Sequence, residues 1–78
     1  MTVEEFCLQK TQKGEMCVFM VNGRIVGTVW IDPDNLSMIH PAIGKKKFDS
    51  AFWSRLSIVA EHGDVLDIPC HYICYTEK

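Results

Sequence analysis

Apolar residues occupy both alternating faces of the segment Met16–Ile31, MCVFMVNGRIVGTVWI. At its centre, Asn22-Gly23 is the strongest short signal for a β-hairpin, because a type I′ turn requires positive φ at both central residues. One face of the hairpin is wholly apolar, so we expect this inner face to lie on the core. Its residues are Met16, Val18, Met20, Ile25, Gly27, Val29 and Ile31.

The outer face of the same hairpin mixes apolar and polar residues. In the register set by a two-residue turn, Phe19 lies opposite Val26 and Glu15 lies opposite Trp30. Because aromatic residues and Arg dominate interface energies, we expect this half-exposed outer face to bind another protein. The predicted binding residues are Phe19, Val21, Arg24, Val26 and Trp30.

The segment before the hairpin supports two interpretations. Alternation around Phe6 favours a strand over Glu4–Thr11, paired antiparallel to Glu15–Val21. The spacing Thr2-x-x-Glu5 is that of a capping box and favours a short helix instead. The strand is the preferred prediction, and the helix is the alternative.

The main helix is predicted after the lysine run. Asp49 is a favourable N-cap residue, and Phe48 and Trp53 flank it at hydrophobic-staple spacing. An apolar stripe at helical spacing follows, which predicts a helix over Ser50–His62 with Gly63 just beyond its end. The stripe consists of Phe52, Leu56 and Val59.

Two further strands complete the predicted fold. Leu36–His40 is a short strand before Pro41, and Ile68–Tyr75 is a final strand rich in residues that favour β-structure. The order is β-β-β-β-α-β, or α-β-β-β-α-β with a helical start. We expect a single α+β domain over residues 1–78, a two-layer sandwich with one main helix on one face of an antiparallel sheet of four to five strands.

The composition is that of a packed globular chain, because 47% of its residues are hydrophobic and 23% are charged. The net charge of −2 makes a nucleic-acid partner an unfavoured expectation, since such proteins usually carry a basic excess. The acidic start is unlike a signal peptide, and the longest apolar stretch is interrupted by polar residues. We therefore expect a cytoplasmic protein with no membrane association and with free cysteines.

The group Cys70-His71-x-x-Cys74 has the residue types of a metal site. On a strand, however, the Cα atoms of Cys70 and Cys74 lie about 13 Å apart, whereas two zinc-bound thiolates each lie about 2.3 Å from the metal. We predict no metal and no cofactor, unless Cys7 or Cys17 approaches from a neighbouring strand. Because no nucleophile motif or phosphate-binding loop occurs, we also predict no catalytic residues and a protein that is not an enzyme.

Lys45, Lys46 and Lys47 precede the predicted main helix. Strands followed by Gly-Lys-Lys-Lys and an amphipathic helix are similar to the later part of a double-stranded-RNA-binding domain, over about residues 16–60. In that family, lysines at the start of the second helix contact phosphates. The resemblance implies nucleic-acid binding by these three lysines, although Asp49 and the strand after the helix depart from the family pattern.

The sequence as a whole predicts a small, non-enzymatic protein that binds another protein. We expect an adaptor or an inhibitor of a larger protein, of the type that phages and mobile elements encode, judged by size and class alone. The alternatives are the nucleic-acid-binding domain described above and an obligate homodimer with no catalytic role. No residue pattern identifies the protein partner.

Overall fold

A computed structural model describes residues 1–77, which form an α+β fold with a four-stranded mixed sheet, one main helix and one short helix. The elements are α1 Val3–Lys10, β1 Met16–Val21, β2 Arg24–Trp30, a 3-10 helix Leu36–Met38, α2 Pro41–Gly44, β3 Lys47–Val59 and β4 Val65–Thr76.

The N-terminal segment is helical, so the preferred strand over Glu4–Thr11 is wrong and the alternative is confirmed. The Thr2 side chain accepts a hydrogen bond from the Glu5 N–H at 3.1 Å, and the Glu5 carboxylate accepts one from the Thr2 N–H at 2.9 Å. These reciprocal bonds satisfy backbone donors that a short helix leaves unpaired. Local capping therefore outweighs the weak alternation of apolar residues.

The predicted helix over Ser50–His62 is wrong, because this segment forms most of β3. β3 pairs antiparallel with β4 from Lys47 opposite Thr76 to Val59 opposite Val65. β3 is an edge strand, so the ladder pairs those of its backbone groups that face β4, and this pairing replaces the local hydrogen bonds of a helix.

Other local predictions are corrected in a similar way. Gly63 is expected to follow a helix but lies in the turn between β3 and β4. Its φ of +85° allows the chain to reverse direction there, and glycine adopts such a φ without strain. The predicted strand Leu36–His40 is also wrong, because Asn35 caps a 3-10 turn over Leu36–Met38.

The sheet has the strand order β2-β1-β4-β3. β1 and β4 run parallel, whereas β1–β2 and β3–β4 are antiparallel, so the expectation of a purely antiparallel sheet is wrong. The predicted final strand Ile68–Tyr75 is confirmed within β4, and it lies beside β1. β1 is thereby a central strand, which explains why apolar residues occupy both of its faces.

The predicted hairpin is confirmed, but its register contains a bulge. Asn22 and Gly23 form the turn with φ of 54° and 74°. Met20 lies opposite Ile25, but the preceding residue, Phe19, lies opposite Gly27. Val26 is therefore the extra, unpaired residue of the bulge. Beyond a bulge, every side chain moves to the opposite face relative to an unbulged register.

Two apolar clusters form on the two faces of the sheet. On the first, which we call the α1 face, Val3 and Cys7 of α1 pack with Cys17, Phe19 and Ile73 of the sheet. The second cluster is centred on three buried strand residues and contains no residue of α1 or α2. These three residues are Met16, Val18 and Cys70.

The substitution Thr2→Ala tests the capping of α1. It should lower the free energy of unfolding by about 1 kcal/mol, because the acceptor for the Glu5 N–H is lost. Urea denaturation followed by circular dichroism measures the change. Gln9→Ala, on an exposed part of α1 away from the cap, should change this free energy by less than about 0.5 kcal/mol. Equal stability of Thr2→Ala and the wild type would contradict the role of the capping box.

Candidate functional site

The structure divides the five predicted binding residues between different environments. Phe19 and Val21 are only 3% and 8% exposed, and they lie on the α1 face. Trp30 is 56% exposed and pairs with Met16, which places it on the opposite face of the sheet. The expectation of one shared outer face is therefore wrong, because the bulge changes the face on which Trp30 lies.

The remaining two predicted residues are exposed at the edge of the sheet. Val26 is the bulged residue of β2, and Arg24 lies next to the hairpin turn opposite Val21. Only part of the predicted hairpin surface is thus accessible.

Within residues 1–77, no helix contributes to the apolar cluster on the face of the sheet that carries Trp30, and we call this face the open face. Residues opposite one another in the strand pairing share a face, so the register defines its members. They are Met16, Val18 and Met20 of β1; Ile25, Thr28 and Trp30 of β2; Ser50, Phe52, Ser54, Leu56 and Ile58 of β3; and Leu66, Ile68, Cys70, Tyr72 and Cys74 of β4.

None of these sixteen residues of the open face is charged. Lys47 lies at the end of the face, where it pairs with Thr76. Three charged or ionisable residues in the middle of β3 and β4 alternate to the other side of the sheet. These are Arg55, Asp67 and His71.

Aromatic side chains are arranged across the open face. The rings of Phe52 and Tyr72 stack with centroids 5.0 Å apart and planes within 2° of parallel. The Tyr72 hydroxyl donates a hydrogen bond to the Arg55 carbonyl at 2.9 Å, which fixes its ring against the strand. Phe52 is nevertheless 51% exposed, because no described residue covers its outer side.

Sequence reasoning missed most of the open face, because β3 was assigned as a helix. A signal was nonetheless present. Phe52, Leu56 and Ile58 fall on alternate positions with Ser54 between them, and β4 alternates in the same way from Leu66 to Cys74. Period-two alternation in two segments separated by a glycine turn is typical of a hairpin.

A depression of about 690 Å³ adjoins one end of the open face, between the Asn22-Gly23 turn and the end of β4. Met20, Ser50 and Cys74 form its side towards the open face. The carboxylate residues Asp49 and Glu77 also line it. The depression therefore connects the apolar open face with carboxylate side chains at its end.

The α1 face carries a separate polar cluster around His71. The His71 Nε2 atom lies 3.1 Å from a carboxylate oxygen of Glu15, and the His71 ring meets that of Trp53 edge-on at 4.5 Å. Burial acts to raise the pKa of Glu15, but hydrogen bonds from the Gln12 N–H and the His71 ring outweigh it and lower that pKa. This cluster joins the start of β1 to the middle of β4.

All four cysteines are free thiols, and those of Cys7, Cys17 and Cys70 are buried. Contact with the Cys7 thiol, together with burial, raises the pKa of Cys17. Burial also raises the pKa of Cys70. The hydrogen bond with Cys17 instead lowers the pKa of Cys7. The raised pKa values of Cys17 and Cys70 keep those two thiols protonated, and protonated thiols are poor nucleophiles. Residues 1–77 contain no group of three or more potential metal ligands from His, Cys, Asp and Glu.

The three lysines do not precede a helix, so the resemblance to a double-stranded-RNA-binding domain loses its structural basis. Lys45 caps α2, and Lys47 begins β3. The Lys46 ammonium donates a hydrogen bond to the Glu77 carbonyl at 2.6 Å. The three lysines therefore lie in three different environments and do not form one surface at the start of a helix.

Comparison with known proteins adds no family assignment, because no protein-family model, curated protein or solved structure matches this chain. Across the part of the chain that the structure describes, no helix is long and apolar enough to cross a membrane.

The substitution Glu15→Gln tests the polar cluster through pH. Because the folded-state pKa of Glu15 is lowered from 4.5, its carboxylate stabilises the fold above that pH, and the contribution is lost as pH falls through the lowered value. We expect Glu15→Gln to be less stable than the wild type near neutral pH, and the two free energies of unfolding to converge in strong acid. Urea denaturation at a series of pH values measures both. A difference that stays constant with pH would contradict this role of the carboxylate.

Proposed function

We propose that this protein is a non-enzymatic interaction module, and that the open face is the surface by which it binds another protein molecule. The molecule bound there is either a larger protein, for which this protein acts as an adaptor or an inhibitor, or a second copy of this chain. In this proposal the protein itself is a two-layer sandwich, with α1 and α2 packed on one face of the sheet. The bound partner covers the other face.

The observation that carries this proposal is a contiguous apolar sheet face with large exposed side chains. Trp30, Phe52 and Leu66 are each more than half exposed on it. Burying one such side chain contributes roughly 1.5–3 kcal/mol, and soluble monomers rarely expose apolar patches larger than a few hundred Å². Such a surface is typical of one that is covered in the functional state.

The chemistry of the face favours a protein surface over a substrate. Its large side chains stand exposed on the sheet, whereas small-molecule sites enclose most of their ligand. Its polar groups are the hydroxyls of Thr28, Ser50, Ser54 and Tyr72 and the thiols of Cys70 and Cys74. Stacked aromatic residues beside aliphatic ones are the residue types that dominate protein interfaces.

The adjacent residues Phe52 and Trp53 provide a matched test. They are exposed to a similar extent, 51% and 54%, but they lie on opposite faces of β3. We expect Phe52→Ser to weaken partner binding by about thirtyfold, because Phe52 is an exposed aromatic side chain on the open face, and Trp53→Ser to leave it within about threefold of the wild type.

Partners are first captured from extracts of source cells on immobilised wild-type protein and identified by mass spectrometry. The affinity of each purified candidate is then measured by calorimetry against the wild type and the variants Phe52→Ser, Trp53→Ser and Trp30→Ala. Circular dichroism checks that each variant folds. Loss of binding in Trp53→Ser, with Phe52→Ser and Trp30→Ala binding as the wild type does, would contradict the proposal.

A further inference from the structure

We infer that the occupant of the open face is a second copy of this chain, with the two sheets packed face to face about a two-fold axis. The inference rests on the proposed function of the open face and names its partner. It follows from the charge, the size and the shape of that face.

The absence of charge from the open face restricts its partner. A charged side chain placed against this apolar surface would lose its hydration without gaining an opposite charge, which is costly. The complementary surface is therefore also apolar and uncharged. The open face of a second copy meets this requirement at every position, because a two-fold interface uses the same patch on both molecules.

The size of the open face suits a stable dimer. Strands about 4.8 Å apart, with a rise of about 3.3 Å per residue, give the face a projected area on the order of 500 Å². The relief of its side chains raises the accessible area towards the roughly 600–1,000 Å² per partner of stable interfaces. A contact of this size exceeds most incidental contacts between proteins.

The relief of the face is also compatible with sheet-on-sheet packing. Its centre is already filled, because Val18 and Cys70 are fully buried between longer neighbours. Trp30 on β2 and Phe52 on β3 stand at the two outer strands and remain half exposed. Two sheets about 10 Å apart interdigitate side chains of this kind and exclude water from both faces.

Sedimentation velocity over the low-micromolar to submillimolar range tests the inference on the full chain. The wild type should change with concentration from the 8.9 kDa monomer to a species of twice that mass. Phe52→Ser and Trp30→Ser should each raise the dissociation constant about thirtyfold, and Trp53→Ser should change it less than about threefold. Thermal unfolding of each variant at low concentration establishes that the monomer is folded.

Two results would overturn the inference. One is a wild type that stays monomeric throughout the range. The other is a dimer that forms equally well in Phe52→Ser and Trp30→Ser, which would assign the contact to a sheet edge or to the α1 face.

The same variants separate this inference from the proposed function. A monomeric protein whose binding to a different partner is lost in Phe52→Ser contradicts self-association alone. If the protein is monomeric and neither Phe52→Ser nor Trp30→Ser changes its binding to a partner, both the inference and the proposed function are wrong.

Discussion

The burial of β1 on both of its faces is the constraint on which the rest of the structure depends. β1 lies between β2 and β4, and Cys17 and Val18, on opposite faces, are both fully buried. On the α1 face, a helix completes this burial. On the open face, the described residues that pack around Val18 all belong to strands. Trp30 and Phe52, on the two outer strands, are left half exposed. The exposed apolar surface of the open face therefore lies on β2, β3 and β4 and not on β1.

The parallel pairing of β1 with β4 follows from the same constraint. A parallel partner must arrive through a long crossover, here the whole segment from β2 to β3. Closing this long crossover costs conformational entropy. Burial of apolar residues offsets the cost, because β4 supplies them to both faces, with Ile73 on one and Cys70 on the other. A small domain of this size buries only about 60% of the surface of its unfolded chain, so covering the open face would also stabilise the fold.

The elements that the sequence predicts correctly are the β1–β2 hairpin, whose turn is fixed by local chemistry, and the final strand, whose composition favours β-structure. Asn22-Gly23 requires positive φ wherever the strands go, whereas the Thr2–Glu5 capping box supports the helix that is only the alternative prediction for this segment. β3 was misassigned because Phe52, Leu56 and Val59 fit a helical stripe, whereas its strand conformation depends on pairing with β4. The bulge had no signal in the hydrophobic pattern, and it alone decides on which face Trp30 lies. The candidate site could therefore be located on the hairpin but not on the correct face.

The two tryptophans offer the most direct measurement of whether the open face is an interface. Trp30 lies on the open face and Trp53 on the α1 face, with exposed fractions of 56% and 54%. Acrylamide quenching of fluorescence in Trp53→Phe reports on Trp30 alone, and quenching in Trp30→Phe reports on Trp53 alone. As the concentration rises from the low-micromolar to the submillimolar range, or as a partner is added, quenching of Trp30 should fall several-fold while that of Trp53 stays constant. Trp30 remaining as accessible as Trp53 under all these conditions would contradict the account.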